Sequence, residues 1–196
     1  MAKGLRDAFV DEVRDTYDAE RQLLKALPKM ARAACSPELK AAFTSHLAET
    51  QVQVERLQQV FELLGENVRG KHCDGIAGII EEGSSIMEED FDEATMDAAL
   101  IAGGQRAEHY EIAAYGTLVA WATTLGESEV AALLQETLDE EKTADLKLSA
   151  LAEGGMNAAA ASGDENEHEE DDEDEDVLPV EASSSSDARS AKSAKR

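Results

Sequence analysis

Two short breaks, "CSPEL" at residues 35–39 and "LGES" at residues 125–128, each fall between long amphipathic stretches, and a 28-residue segment, 65–92, separates the two pairs. A break this short leaves its flanking helices no arrangement but an antiparallel hairpin. The first stretch, about residues 4 to 35, carries Phe9, Val13, Thr16, Glu20, Leu23, Leu24 and Leu27 on one stripe at helical spacing. It stops where Ser36 can cap and Pro37 can take the first position of the next helix. The second stretch, about 37 to 64, presents Leu39, Phe43, His46, Leu47, Thr50, Gln53, Val54, Leu57, Phe61 and Leu64, and ends at Gly65. A third runs to about Leu125 before Gly126, and a fourth runs from about Ser128 to Glu153 with Val130, Leu134, Thr137, Glu141, Leu148 and Leu151 on its stripe.

Runs of β-branched or aromatic residues are nearly missing, while Ala, Leu, Glu and Gln dominate, so the chain reads as all-α. Two hairpins joined by a long connection, with one short helix around Ile76 to Met87, predict a ferritin-like antiparallel four-helix bundle over residues 1–153. An up-down bundle with short loops has no use for so long a link. From Gly154 onward the sequence becomes "NAAAASGDENEHEEDDEDED", too poor in apolar residues to offset the entropy of ordering. Residues 154–196 are therefore expected to form a disordered acidic tail, serving solubility or, less simply, docking to a basic partner.

Charge restricts partners. The net charge is −25, with 30 acidic against 14 basic residues before Asp164 and 13 against 4 from there on. Such a field repels nucleic acid and anionic membrane surfaces, and it costs self-repulsion unless cations screen it. An acid-rich, lysine-poor body suggests a salt-rich, halophilic cytoplasm, with an ordinary cell as the alternative. Two cysteines, Cys35 and Cys73, and a charged N-terminal stretch suggest neither a disulfide framework nor a secretory signal, and no apolar run approaches membrane-spanning length. A cytoplasmic location is expected.

The stripes hold polar groups where only apolar ones are wanted. In "RAEHYEIAAYGTLVAWA", Glu108 and Glu111 share a face with Ile112, Tyr115 and Leu118. Glu20 and Glu141 lie in the middle of their own stripes, with Asp145 beside Glu141 and with His46, Glu49 and Gln53 toward one edge of the second helix. Counted from the turns at a rise of about 1.5 Å per residue, Glu20 and Glu49 sit about 15 and 14 residues from theirs, and Glu111 and Glu141 about 15 from the other. Glu108 and Asp145 are both about 18 residues from it. Four helices thus bring acidic groups to one height. Unpaired carboxylates there cost several kcal/mol each or stay protonated, whereas two iron or manganese ions would compensate them and leave positions open for oxygen or peroxide. Any one of these residues alone is explained by a buried stem with its head in water, and His46 alone by a hydrogen-bonded core histidine. The level set favours metal. Tyr115 is a packing residue that can also donate to a carboxylate.

The strings "DTYDAERQLLKALPKMA", "HLAETQVQVERLQQVFE", "EHYEIAAYGTL" and "ETLDEEKTADLKLSALA", in that order, resemble the YciE/YciF family of ferritin-like proteins over about residues 4 to 153. The resemblance implies a bundle related to rubrerythrin, a homodimer and a link to stress responses. Carried over by position, it implies carboxylate ligands at Glu20, Glu49, Glu108, Glu111 and Glu141. The Glu-x-x-His pattern of such sites is broken: Glu49 is followed by Val52 and Gln53, and Glu141 by Ala144 and Asp145. Gln53 and Asp145 can stand in for the histidines, or His46 can approach from the opposite direction. The preferred reading is a dinuclear carboxylate protein, an oxidoreductase of the di-iron type if it is an enzyme. A non-enzymatic helical interaction protein with a degenerate site is the alternative, and a manganese catalase the third.

Overall fold

A computed structural model describes residues 2–170, with side chains up to residue 163. Four long helices, α1 (Leu5–Ala33), α2 (Pro37–Leu64), α4 (Glu93–Leu125) and α5 (Ser128–Leu151), form the bundle, with α3 (Asp74–Ile86) in the connection. Around the bundle α1 packs on α2, α2 on α5, α5 on α4 and α4 back on α1, while α3 lies against α4 and α1. The ferritin-like arrangement of two hairpins and a crossover is the observed one.

Local chemistry sets the helix ends. Ser36 Oγ accepts from the backbone N–H groups of Glu38 and Leu39 with Pro37 in the first turn, and Asp92 does the same for Ala94 and Thr95 at the start of α4. Helices α2 and α4 stop at Gly65 and Gly126, whose φ values of 69° and 78° lie in the left-handed region that glycine enters at no cost. The first turn is also tied across the bundle: the buried Asp97 carboxylate of α4 accepts from the backbone N–H of Cys35 (2.8 Å) and of Ser36 (2.7 Å).

The chain does not stop being helical at residue 154. After a π-helical turn, Ala152–Met156, in which Gly155 takes φ 136°, it continues as α6 (Asn157–Glu170) against α4. Met156 packs on the core. The Ala-rich run 157–161 has high helix propensity but no stripe to reveal it. The rest of the expected tail, residues 171–196, lies outside the described residues.

The core is divided in two along the bundle axis. One apolar cluster, with Phe9, Val13, Leu57, Phe61, Leu118 and Leu134, fills one end. The other, with Leu23, Leu27, Phe43, Leu100, Ile101 and Leu148, fills the opposite end. Between them, on all four long helices, the buried positions are polar: Thr16 and Glu20 on α1, His46, Thr50 and Gln53 on α2, Glu108 and Glu111 on α4, and Thr137 and Glu141 on α5.

Candidate metal centre

Each side chain of this layer comes from the middle of a long helix, so its backbone hydrogen bonds are satisfied and its position is fixed by packing on both sides. One ligating atom from each of His46, Glu108, Glu111 and Glu141 lies within 4.8 Å of the others. His46 Nε2 is 3.3 Å from Glu108 Oε1 and 3.8 Å from Glu141 Oε2. Glu20 closes the layer from α1, accepting a hydrogen bond from the buried Tyr115 hydroxyl at 2.5 Å. Gln53 Nε2 donates to Glu141 Oε1 at 2.5 Å and to Glu140 Oε2 at 3.2 Å.

These donors satisfy only part of the oxygen present. Glu20 Oε2, Glu108 Oε2, both oxygens of Glu111, Glu141 Oε2 and the Gln53 carbonyl oxygen are buried without a hydrogen-bond partner. A buried acceptor left alone costs about 1–3 kcal/mol, and here the unpartnered atoms are gathered in one layer. In the absence of a cation the layer holds protons. Burial, with the charge of Glu141 added, pushes Glu20 up to about 8 against the pull of the Tyr115 hydroxyl. Burial also raises Glu108 to about 7, although the adjacent Glu141 carboxyl works the other way. Burial and the charges of Glu20, Glu141 and Glu108 drive Glu111 well above the carboxylate range. Burial does the same to Glu141, with His46 opposing it. Burial lowers His46, but its hydrogen bond to Glu49 and the charges of Glu141 and Glu20 outweigh that and raise it.

Of the sequence candidates, Glu20, His46, Gln53, Glu108, Glu111 and Glu141 meet in the layer. Glu49 does not enter it. Its carboxylate is 45% exposed and lies 3.4 Å from His46 Nδ1, on the far side of the ring from the cluster. Asp145 is also outside, taking Gln105 Nε2 (3.1 Å) and the exposed His109 Nε2 (3.2 Å). The inward pair at i and i+3 on α2 is Thr50 and Gln53. Sequence reasoning missed Arg56, whose buried guanidinium donates to Thr137 Oγ1 (2.6 Å) and as a fork to Glu140 (2.8 and 2.9 Å), closing the α2–α5 seam beside Gln53. Its signal was the spacing of Gln53 and Arg56, opposite Thr137 and Glu140.

A ferritin-like bundle with a buried His–Glu cluster at mid-height is the class of protein that these features define. The chain belongs to the YciE/YciF family: residues 4–161 match the family described as Domain of unknown function (DUF892), and the chain is 45% identical to Protein YciF of Escherichia coli (strain K12) over 159 residues, 81% of this chain and 96% of that one. The crystal structure of the E. coli stress protein YciF superposes with a TM-score of 0.77 at 44% identity, covering 80% of this chain and 99% of that one. YcfI from Rhodopseudomonas palustris gives a TM-score of 0.74 at 46% identity, over 75% and 94% of the two chains. A protein from Xanthomonas campestris pv. campestris gives 0.64 at 25% identity, over 84% and 99%. No helix among the described residues is long and apolar enough to cross a membrane.

Proposed function

We propose that the polar layer binds two divalent ions, iron or manganese, and that the chain is a ferritin-like, stress-associated metal protein handling the metal itself, oxygen or peroxide. The single observation that carries this reading is the gathering of unpartnered buried carboxylate oxygens on Glu20, Glu108, Glu111 and Glu141. The donor set fits: hard oxygens with one imidazole suit iron and manganese. Glu20, His46, Glu108, Glu111 and Glu141 would hold the ions, with Gln53 orienting Glu141 and Tyr115 orienting Glu20. Bound iron or manganese would supply redox chemistry and open coordination positions.

The protein's own groups prepare that chemistry. Protons on Glu20, Glu108, Glu111 and Glu141 neutralise the layer until a cation replaces them, so uptake releases protons. The apolar clusters above and below exclude bulk water from the layer. A layer closed by hydrogen bonds alone is favoured by the Gln53 and Tyr115 donors, but it leaves both oxygens of Glu111 without a donor. The stress role of the E. coli relative, a homodimeric state and a cytoplasmic location complete the proposal.

Anaerobic titration of Mn(II) into the metal-free protein tests it, with calorimetry and pH-stat recording of protons. Saturable binding of two ions with proton release, abolished or halved in Glu141→Gln, is expected. An unsaturable response identical in both proteins would contradict the reading.

A further inference from the structure

The layer is sealed along its axis by the two apolar clusters, and along one stretch of the α2–α5 seam by Gln53 and Arg56 with Glu140. The same seam opens on the other side of His46. There a pocket of about 80 Å³ runs in from solvent, lined by Ala42, Phe43, His46, Glu49, Thr143 and Lys147 among others. That volume holds a few waters. Its walls include small side chains, Ala42, Thr143 and Ala144.

The His46 ring stands between this pocket and the cluster. Its Nε2 faces Glu108 at 3.3 Å and Glu141 at 3.8 Å, whereas its Nδ1 faces Glu49 at 3.4 Å. Glu49 is itself steadied by the Ser45 hydroxyl, which donates at 3.3 Å. One imidazole therefore separates a solvent-facing carboxylate from the buried ones.

We infer that this α2–α5 pocket is the route by which a divalent cation reaches the buried carboxylates, with Glu49 capturing the ion at the mouth and His46 passing it inward. The inference rests on the metal-binding reading of the layer. It gives Glu49 a role in uptake instead of in the final ligand set, in keeping with its position outside the layer. Lys147, on the same rim, competes with an incoming cation for Glu49 and slows capture.

Stopped-flow mixing of metal-free protein with Co(II), read by its visible absorption and paired with equilibrium stoichiometry and circular dichroism, tests this. Glu49→Gln and Ala144→Leu should each load at least tenfold more slowly than wild type and reach the same final stoichiometry, and Lys147→Gln should load severalfold faster. Unchanged rates in Glu49→Gln and Ala144→Leu would place the route elsewhere. A lowered stoichiometry in Glu49→Gln would make Glu49 a ligand and overturn its role at the mouth. Absence of Co(II) binding by wild type would instead overturn the metal reading itself, and the route with it.

Discussion

Glu108→Gln should stabilise the metal-free protein by an amount that grows as pH rises from about 4.5 to about 7 and then holds at alkaline pH. In the folded chain, burial lifts Glu108 from an ordinary 4.5 to about 7. Its folded value lies above its unfolded value, so the folded state holds the extra proton between them and stability falls as pH rises through that interval. At pH 8 the carboxylate is ionised in both states. A full shift then costs roughly 3 kcal/mol, at about 1.4 kcal/mol per pKa unit. Because Glu20, Glu111 and Glu141 share protons with Glu108, part of the relief is already available to the wild type, and the expected gain is about 2 kcal/mol. For a domain of this size that raises the melting temperature by roughly 4–8 °C. At pH 5 the folded group is protonated but the unfolded carboxyl, above its ordinary 4.5, is mostly ionised, so the gain should shrink to roughly a quarter of its value at pH 8. Thermal melts of chelator-treated protein at pH 5 and pH 8 decide the matter. An equal melting temperature at pH 8, or a gain of the same size at both pH values, would refute a charge-crowded layer and return Glu108 to a solvated position.

Other perturbations probe the rest of the frame. Tyr115→Phe removes the donor to Glu20, and should cost about 1–3 kcal/mol of stability measured by urea unfolding. Arg56→Met breaks the fork to Glu140 and the bond to Thr137, and with Glu140 partly exposed the loss should be about 1–3 kcal/mol by the same assay. Gly75→Ala would place a Cβ 2.6 Å from Tyr110 Cε2, displacing a ring whose hydroxyl bonds Cys73 and Asp15. A melting temperature lowered by several degrees is expected there, despite the better helix propensity of Ala. With a net charge of −25, molar KCl should raise the melting temperature of the wild type by screening repulsion. Equal values in dilute and molar salt would count against adaptation to a salt-rich cytoplasm.

Much of this frame was legible in the chain because short turns fix the height of a residue on its helix. Glu20, Glu111 and Glu141 count to one level from their turns, and they meet there. Height does not fix rotation. At about 100° per residue, Gln53 lies only about 20° from His46 around the helix, whereas Glu49 lies about 60° away. That angle puts Gln53 in the layer and leaves Glu49 at the pocket mouth, although Glu49 has the right height. Asp145 fails in the same way beside Glu141, and the exposed His109 takes it instead. Arg56 escaped notice because a lone Arg on a mostly apolar face reads as a snorkelling side chain. Its partners sit on another helix, so its i, i+3 spacing from Gln53 becomes a signal only when matched with the same spacing of Thr137 and Glu140 on α5.

Anomalous diffraction from crystals grown with saturating Mn(II), recorded at the manganese edge, tests the buried metal centre most directly. Two peaks are expected inside the ring formed by Glu20, His46, Glu108, Glu111 and Glu141, with Glu49 and Asp145 outside their coordination. Anomalous density confined to surface carboxylates, with none in the buried layer, would contradict the metal centre.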